Sequence, residues 1–392
     1  MTPATSPPLL EQRASLRPTA AVIDLAALWE NLDFIRRTVG PRTGILAVVK
    51  ADAYGHGMVP VARACLRWGV QGFAVGTADE ALELRGTAGF ESIPVLVMGP
   101  TDPTDARALQ EAQVSVAGGT TEVVQAHVRM ARRFGFPARI HLKLDTGMGR
   151  YGFDAESPAW FELARQHREH IEGVFTHFAC AESAEQEDGA FTNWQRERFE
   201  AAVRRIYRLD IRPVYHAANS GAVLRHAHAH YELVRPGILM YGAEPSTGKM
   251  VNAPVRQVLK LASRLAAVHQ RRSGSSISYG RTLVLERDTP VGLVPIGYGD
   301  GYPRAMSSRA QVLVGGRRAR VLGRVCMDQI LVDLSDIPEA RPGDEVVLYG
   351  AQGTERISLE EAAEIAGTIP YELACHLSRR VPRIYLEDYP EA

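Results

Sequence analysis

Several lysines, arginines and histidines in this 392-residue chain stand where a hydrophobic core has no use for them. Lys50 follows the apolar run 45–49 and is itself followed by Tyr54 and the glycine-flanked His56. Lys143 lies inside the run 139–144, which passes into Asp145-Thr146-Gly147-Met148-Gly149-Arg150. The run 171–176 ends at His177, the run 213–216 is followed by Asn219 and Ser220, and the run 231–234 by Arg235-Pro236-Gly237-Ile238. Taken singly, each has an ordinary explanation: a lysine just past a strand is a solvated strand end, and an arginine before proline is a surface ion-pair partner. Together, cations and hydrogen-bonding groups gathered from several strand ends are what an anionic cofactor demands.

For those residues to meet, the runs that carry them must lie side by side. Between about residues 20 and 240, short apolar runs alternate with amphipathic stretches, the rhythm of βαβ units in a parallel sheet. The runs 45–49, 72–75, 94–97, 113–116, 139–144, 171–176, 213–216 and 231–234 read as strands. Stretches such as 25–37, 120–133 and 187–208 repeat apolar residues at three and four and read as helices. This pattern predicts an α/β fold with an N-terminal (β/α)8 TIM barrel, whose chemistry belongs at the C-terminal ends of its strands. Past residue 250 the runs 311–314, 318–322 and 344–349, separated by Gly and Pro turns, predict a C-terminal mostly antiparallel β domain. A late helix over 359–366 follows the capping Ser358. The expected layout is a flexible tail over 1–17, the cofactor-binding barrel over 18–247 and the β domain over 248–392.

Lys plus Arg and Asp plus Glu each number 45, so no net field draws the chain to nucleic acid or to an anionic membrane. A small-molecule substrate fits that balance. Cys65, Cys180, Cys326 and Cys375 lie far apart with no C-x-x-C pair, which argues against a zinc knuckle or a disulfide framework and reads as reduced thiols in a cytoplasm. No run approaches the roughly 20 apolar residues of a membrane helix, and no apolar segment of a secretory signal opens the chain. Asp145-Thr146-Gly147 has the letters of an aspartic-protease motif, but that chemistry needs two such carboxylates and one copy is present. His226, His228 and His230 alternate without a cysteine or carboxylate to complete a metal site, so they read as solvent-exposed and no metal is expected. No Walker loop is present, and no G-x-G-x-x-G follows a strand.

The segment Ala47-Val48-Val49-Lys50-Ala51-Asp52-Ala53-Tyr54-Gly55-His56-Gly57 closely resembles the cofactor-lysine signature of alanine racemases, two-domain fold-type III pyridoxal-phosphate enzymes. In the family's order follow Lys143-Leu144-Asp145-Thr146-Gly147-Met148-Gly149-Arg150, Thr176-His177-Phe178-Ala179, Ala218-Asn219-Ser220, Arg235-Pro236-Gly237-Ile238, Ser278-Tyr279-Gly280, Gly297-Tyr298-Gly299-Asp300-Gly301 and Gly323-Arg324-Val325-Cys326-Met327-Asp328. The resemblance spans about residues 18–385. It implies racemisation of L-alanine to D-alanine with pyridoxal 5'-phosphate, by two bases, to supply peptidoglycan. Lys50 then holds the cofactor as an imine and serves as one base. Tyr279, from the C-terminal domain of the other subunit, is the second base, so a homodimer with shared sites is implied. His177 assists that phenol, Arg235 backs His177, and an arginine beside the ring nitrogen leaves it largely unprotonated.

By the same resemblance, Tyr54, Ser220 and the amides of Gly237 and Ile238 form the phosphate cup, with Asn219 beside them. Arg150 meets the cofactor's phenolic oxygen and the substrate carboxylate, work that suits a planar guanidinium. Lys143 matches a lysine that the family carbamylates with CO2, turning a cationic neighbour of Arg150 into an anionic one. Met327, through its backbone, and Tyr298 face the substrate. Arg304, Arg324, Asp328 and Glu182 line the approach corridor, where the family more often shows Asp at position 182. The chain departs from the family at Arg379, where a Tyr that touches the phosphate and narrows the gate is usual. That departure keeps a racemase of serine, or of several amino acids, in view beside alanine. A fold-type III decarboxylase would carry different C-terminal motifs, and a non-catalytic cofactor-binding barrel would lack the second domain that carries Tyr279 and Met327.

Overall fold

In the computed structural model, residues 17–135, 137–245 and 251–387 are described. They divide into two units, Leu28–Arg256 and a second made of Met1–Ala27 with Gln257–Tyr389. After strand β1 (Ala20–Asp24), which belongs to the second unit, and helix α1 (Leu25–Val39), the first unit runs through eight parallel strands. These are β2 (Gly44–Val48), β3 (Gly72–Val75), β4 (Val95–Val97), β5 (Ser115–Gly118), β6 (Ile140–Asp145), β7 (Ile171–Phe175), β8 (Val214–His216) and β9 (Leu233–Val234). Each overlaps one of the eight runs expected to be strands. Their order β5-β4-β3-β2-β9-β8-β7-β6 closes on itself through a β5–β6 pairing, with Val234 opposite Ile45 at the β9–β2 seam. The strands are buried almost throughout because helices cover one face and the barrel interior fills the other. Buried polar side chains break the apolar pattern there, among them His141 and Lys143 on β6 and His216 on β8.

The helices begin where the sequence supplies caps. Thr77 and Glu80 form a reciprocal capping box on α2 (Ala78–Arg85), and the Thr120 hydroxyl accepts the Val123 amide to start α3 (Thr121–Phe134). A longer helix, α4 (Gln186–Ile206), packs Phe199, Ala202 and Ile206 inward.

The second unit is built on the antiparallel strands β10 (Leu259–Arg264), β11 (Ala267–Arg271), β12 (Thr289–Val294), β13 (Gln311–Val314), β14 (Arg317–Arg320), β15 (Ile330–Asp333) and β16 (Glu345–Gln352), with β17 (Arg383–Leu386) last. The main sheet runs β14-β13-β16-β10-β1-β17, and β11-β12-β15 form a second. Strand β1 is antiparallel to β10 and parallel to β17. This differs from the expected boundary at residue 18: a lone apolar strand followed at once by a helix reads as a first βα unit, yet its partners lie more than 200 residues away. Residues 1–16 and the expected boundary at 247 lie outside the described residues. Arg17, the last residue of the expected tail, is held by two hydrogen bonds to Asp300. Helix α5 (Leu359–Ala366) begins as expected, with the Ser358 hydroxyl accepting the Glu361 amide.

The histidine triplet needs correction. His228 is exposed as expected, but His226 is half-buried and His230 buried, on either side of a 3-10 turn. His230 is buried, with Nε2 3.2 Å from the Val223 carbonyl oxygen, because Ala229 and His230 turn back under the preceding helix. Among the described residues no cluster of His, Cys, Asp and Glu could hold a metal ion, and no helix is long and apolar enough to cross a membrane.

Candidate active site

Lys50 leaves the C-terminal end of β2, and the chain then does something its composition does not favour. Residues 51–54 all take φ between 52° and 54° with ψ between 40° and 52°, a left-handed turn made of Ala, Asp, Ala and Tyr. Each such residue costs about 1–2 kcal/mol. The surroundings hold it. The Glu80 carboxylate accepts the Ala51 amide at 2.5 Å and the Gly76 amide at 2.7 Å, and Asp52 accepts the Met58 amide at 2.7 Å. His56 stacks on Tyr241 with ring centroids 4.5 Å apart, and the Tyr241 hydroxyl donates to the Val48 carbonyl at 2.9 Å. The turn brings the Tyr54 hydroxyl against Gly237 so closely that a Cβ there would lie 2.4 Å from it. No other residue fits at 237 without moving the phenol. Ser220 completes this corner, its Oγ accepting the Gly237 amide at 2.9 Å.

Beside this turn opens a cavity of about 390 Å³, lined among others by Lys50, Lys143, Arg150, Tyr151, Phe175 and His177. Arg150 arrives there on a loop organised by Asp145, whose carboxylate accepts the amides of Gly147, Met148, Gly149 and Arg150. Burial opposes ionisation of Asp145, but those four donors hold its carboxyl below the ordinary aspartate range. The Lys143 amine lies 4.7 Å from the centre of the Phe175 ring and is 5% exposed. Burial first, then the charges of Arg235 and Arg150, bring it down to about 7, against a smaller opposing effect of Asp145. A lysine lowered in this way gives up its proton more readily than an exposed one.

Arg235, 3% exposed, organises the floor of the site. Its Nη1 donates to His216 Nδ1 at 2.8 Å, and its Nη2 donates to the carbonyls of Thr176 and Ala217 and lies 3.3 Å from His177 Nδ1. A guanidinium only donates, so His216 Nδ1 and His177 Nδ1 are acceptors. The His216 proton then sits on Nε2 and is given to His141 Nδ1, 2.8 Å away. Burial, reinforced by Arg235, holds His177 and His216 neutral, and burial with Arg139 and Arg235 brings His141 down to about 3. The neutral His177 therefore carries its proton on Nε2 as a donor. Burial lowers Arg235 itself to about 9, still cationic at neutral pH.

The structure thus gathers Lys50, Lys143, Arg150 and His177 around one cavity, with Arg235 on His177 and Tyr54, Ser220 and Gly237 in one corner. Asn219 is used otherwise: its side chain caps the helix Ser220–Arg225 by accepting the Ala222 amide. Ile238 is fully buried beside Gly237. Glu182 belongs to the barrel unit, while Tyr279, Tyr298, Arg304, Arg324, Met327, Asp328 and Arg379 belong to the second. In that unit Tyr279 is 70% exposed, and Tyr298 and Met327 stand on adjoining loops joined by the Tyr298 amide on the Cys326 carbonyl, 3.0 Å. Sequence reasoning passed over His141, His216 and Glu80. The first had a signal, since His141 stands two residues before Lys143 on one strand and so shares its inward face.

Fold and site together define a barrel enzyme with a cation-rich cavity, a buried amine and a second, β-rich unit. The family profile of the alanine racemase N-terminal domain matches residues 23–245, and that of the C-terminal domain matches 258–385. The alanine racemase of Symbiobacterium thermophilum is 42% identical over 374 residues, covering 94% of this chain and 97% of its own. That of Halothermothrix orenii is 40% identical over 373 residues, covering 94% and 97%. The solved alanine racemase of Streptomyces coelicolor A3(2) superposes with a TM-score of 0.89 at 38% identity, covering 96% of this chain and 99% of that one. The chain belongs to the alanine racemase family, enzymes of the isomerase class.

Proposed function

We propose that this chain racemises alanine between its L and D forms with pyridoxal 5'-phosphate held on Lys50, working as a cytoplasmic homodimer whose D-alanine serves peptidoglycan. One observation carries the cofactor assignment. The Nε of Arg235 is buried with no hydrogen-bond partner among the described residues, although both terminal nitrogens are engaged. An orphaned buried donor costs about 1–3 kcal/mol, and an unprotonated pyridine nitrogen is an acceptor that relieves it. The rest of the set fits the same molecule: an amine for its aldehyde, a hydroxyl corner at Tyr54 and Ser220 for its phosphate, and Arg150 for its phenolic oxygen.

When bound, the cofactor draws off the electron pair left on Cα after proton loss. The chain's own residues then decide which face loses and gains the proton. Lys50 Nζ takes or returns it on one face. Tyr279 Oη of a second copy does so on the other, since a base confined to one face returns its proton with retention. A phenol ordinarily titrates near 10 and needs help to act as a base. The Nε2–H of His177 is the donor that favours its anion, and Arg235 keeps that proton on Nε2. Arg150, the Met327 backbone and Tyr298 hold and orient the substrate carboxylate.

Arg379 supports a second reading, racemisation of serine or of several amino acids, because it is exposed and charged where the family carries a gating Tyr. Relative rates on alanine, serine and lysine separate the two. The central test is an absorbance spectrum of the purified protein, followed by loss of optical rotation from L-alanine. Tyr279→Phe is expected to keep the cofactor absorbance and slow removal of the L-substrate proton by about two orders of magnitude or more. A variant that racemises at the parental rate removes Tyr279 as the second base.

A further inference from the structure

The loops that carry Tyr298 and Met327 rest on a charge network that ties two motif carboxylates, Asp300 and Asp328, to arginines outside the motifs, Arg17 and Arg380. Asp300 is fully buried, and its carboxylate is met from three sides at once. Arg17, just before β1, grips it with both terminal nitrogens, at 2.6 Å and 3.0 Å, and spends Nη2 again on the Pro295 carbonyl at 2.7 Å. Arg380, from the segment before β17, approaches the same oxygen at 3.3 Å and donates to Asp328 at 2.5 Å. The second Asp300 oxygen accepts the Gly297 amide at 3.0 Å, and the Asp300 carbonyl accepts the Ser378 amide at 3.0 Å.

The loop 297–301 is in turn welded to the loop 326–329. The Tyr298 amide donates to the Cys326 carbonyl at 3.0 Å and the Gly299 amide to the Met327 carbonyl at 2.9 Å. A Cβ at Gly297 would meet the Cys326 oxygen at 2.2 Å, so the two backbones touch with no room for a side chain. Thr19 anchors the approach on the other side, donating to the Pro295 carbonyl at 2.7 Å. A planar, bidentate guanidinium on a buried carboxylate is a strong and directional link, and its loss leaves a buried charge half compensated.

We infer that Arg17, with Arg380 as its counterpart on the C-terminal side, is a positioning residue for the substrate-facing loops, acting through Asp300. The inference rests on the reading that Tyr298 and Met327 meet the substrate carboxylate. It assigns a task in substrate binding to a residue that the sequence places in a loose tail. The amine chemistry of Lys50 lies in the other unit and is not its object.

The test uses the cofactor-loaded full chain and the variants Arg17→Gln, Arg17→Lys and Arg380→Gln. Arg17→Gln is expected to raise KM for L-alanine about tenfold while kcat stays within about threefold and the cofactor absorbance is unchanged. Arg17→Lys restores part of that loss, since it keeps the charge but not the fork. Hydrogen exchange of the amides of 297–301 and 326–329 is expected to quicken in Arg17→Gln and in Arg380→Gln. If Arg17→Gln does not fold, Arg380→Gln carries the same KM and exchange readings. KM within twofold of the parent, or unchanged exchange in the loops, overturns the inference. A parent inert toward every amino acid removes the functional reading instead, and the exchange measurement still decides whether Arg17 clamps the loops.

Discussion

Arg235 shows how one side chain can set the protonation of two others without titrating itself. Because it donates on every nitrogen it uses, His216 and His177 have a single tautomer each, and His141 is reached through His216. Replacing His216 by Leu removes the acceptor for one guanidinium N–H and the donor to His141. We expect kcat to fall about tenfold to a hundredfold with KM changed less than threefold, measured in steady state, because the loss falls on proton handling and not on carboxylate binding. The same histidines fix a pH dependence of stability. His141 titrates near 3 in the folded chain and near 6.5 when unfolded, so the unfolded chain binds more protons between those values. Stability is at its plateau above about 6.5 and declines as pH falls toward 3, by at most about 1.4 kcal/mol per pH unit for one such group. Urea midpoints at pH 7.5 and 5 check the sign; a higher midpoint at pH 5 contradicts it. For Lys143, held near 7, labelled bicarbonate should yield a slowly exchanging carbamate carbon signal that Lys143→Met lacks. Lys50, Lys143, Arg150, His177 and Arg235 were legible as a gathering because each is an expensive group within, at the end of, or just past an apolar strand. His216 was not, because a histidine within an apolar strand has nothing local to distinguish a tautomer relay from a satisfied core residue; His141 had only its two-residue spacing from Lys143 to mark it.

At the scale of elements, the barrel's eight strands were legible from short apolar runs between amphipathic stretches, since parallel strands buried on both faces leave that trace. Their ends were less so. The expected run 113–116 begins two residues before β5, because Gln113 takes a positive φ of 52° and turns into the strand instead of extending it. The left-handed turn over 51–54 was invisible, for Ala, Asp, Ala and Tyr have no preference for that hand and the forces imposing it come from Glu80, Asp52 and Tyr241. This gives Glu80 a consequence beyond its capping box. Glu80→Ala leaves the amides of Ala51, Gly76 and Thr77 without their carboxylate and frees the turn to relax. We expect a stability loss of about 1–3 kcal/mol and a cofactor affinity about tenfold weaker, read by equilibrium titration of the cofactor absorbance. An affinity equal to the parent's would mean that the turn keeps its hand without Glu80.

At the scale of the whole molecule, the residues of the proposed reaction fall in two units: Lys50, Arg150, His177 and Arg235 in one, Tyr279, Tyr298 and Met327 in the other. A sequence lists both sets in one chain and is silent on whether one copy serves itself. The proposed homodimer answers with an arithmetic that can be measured. If each site takes its lysine from one copy and its phenol from the other, a dimer of Lys50→Ala with Tyr279→Phe holds one site with both defects and one with neither. Random reassortment of equal amounts makes half the dimers mixed, so about a quarter of all sites recover parental activity, although each variant alone is nearly inactive. A chain that completes its own site gives no recovery at any mixing ratio, because every site keeps one defect. Unfolding and refolding the two variants together, then comparing the racemisation rate with that of the separately refolded proteins, distinguishes these outcomes. The recovered fraction should also fall on dilution if dissociation separates the phenol from the lysine it serves.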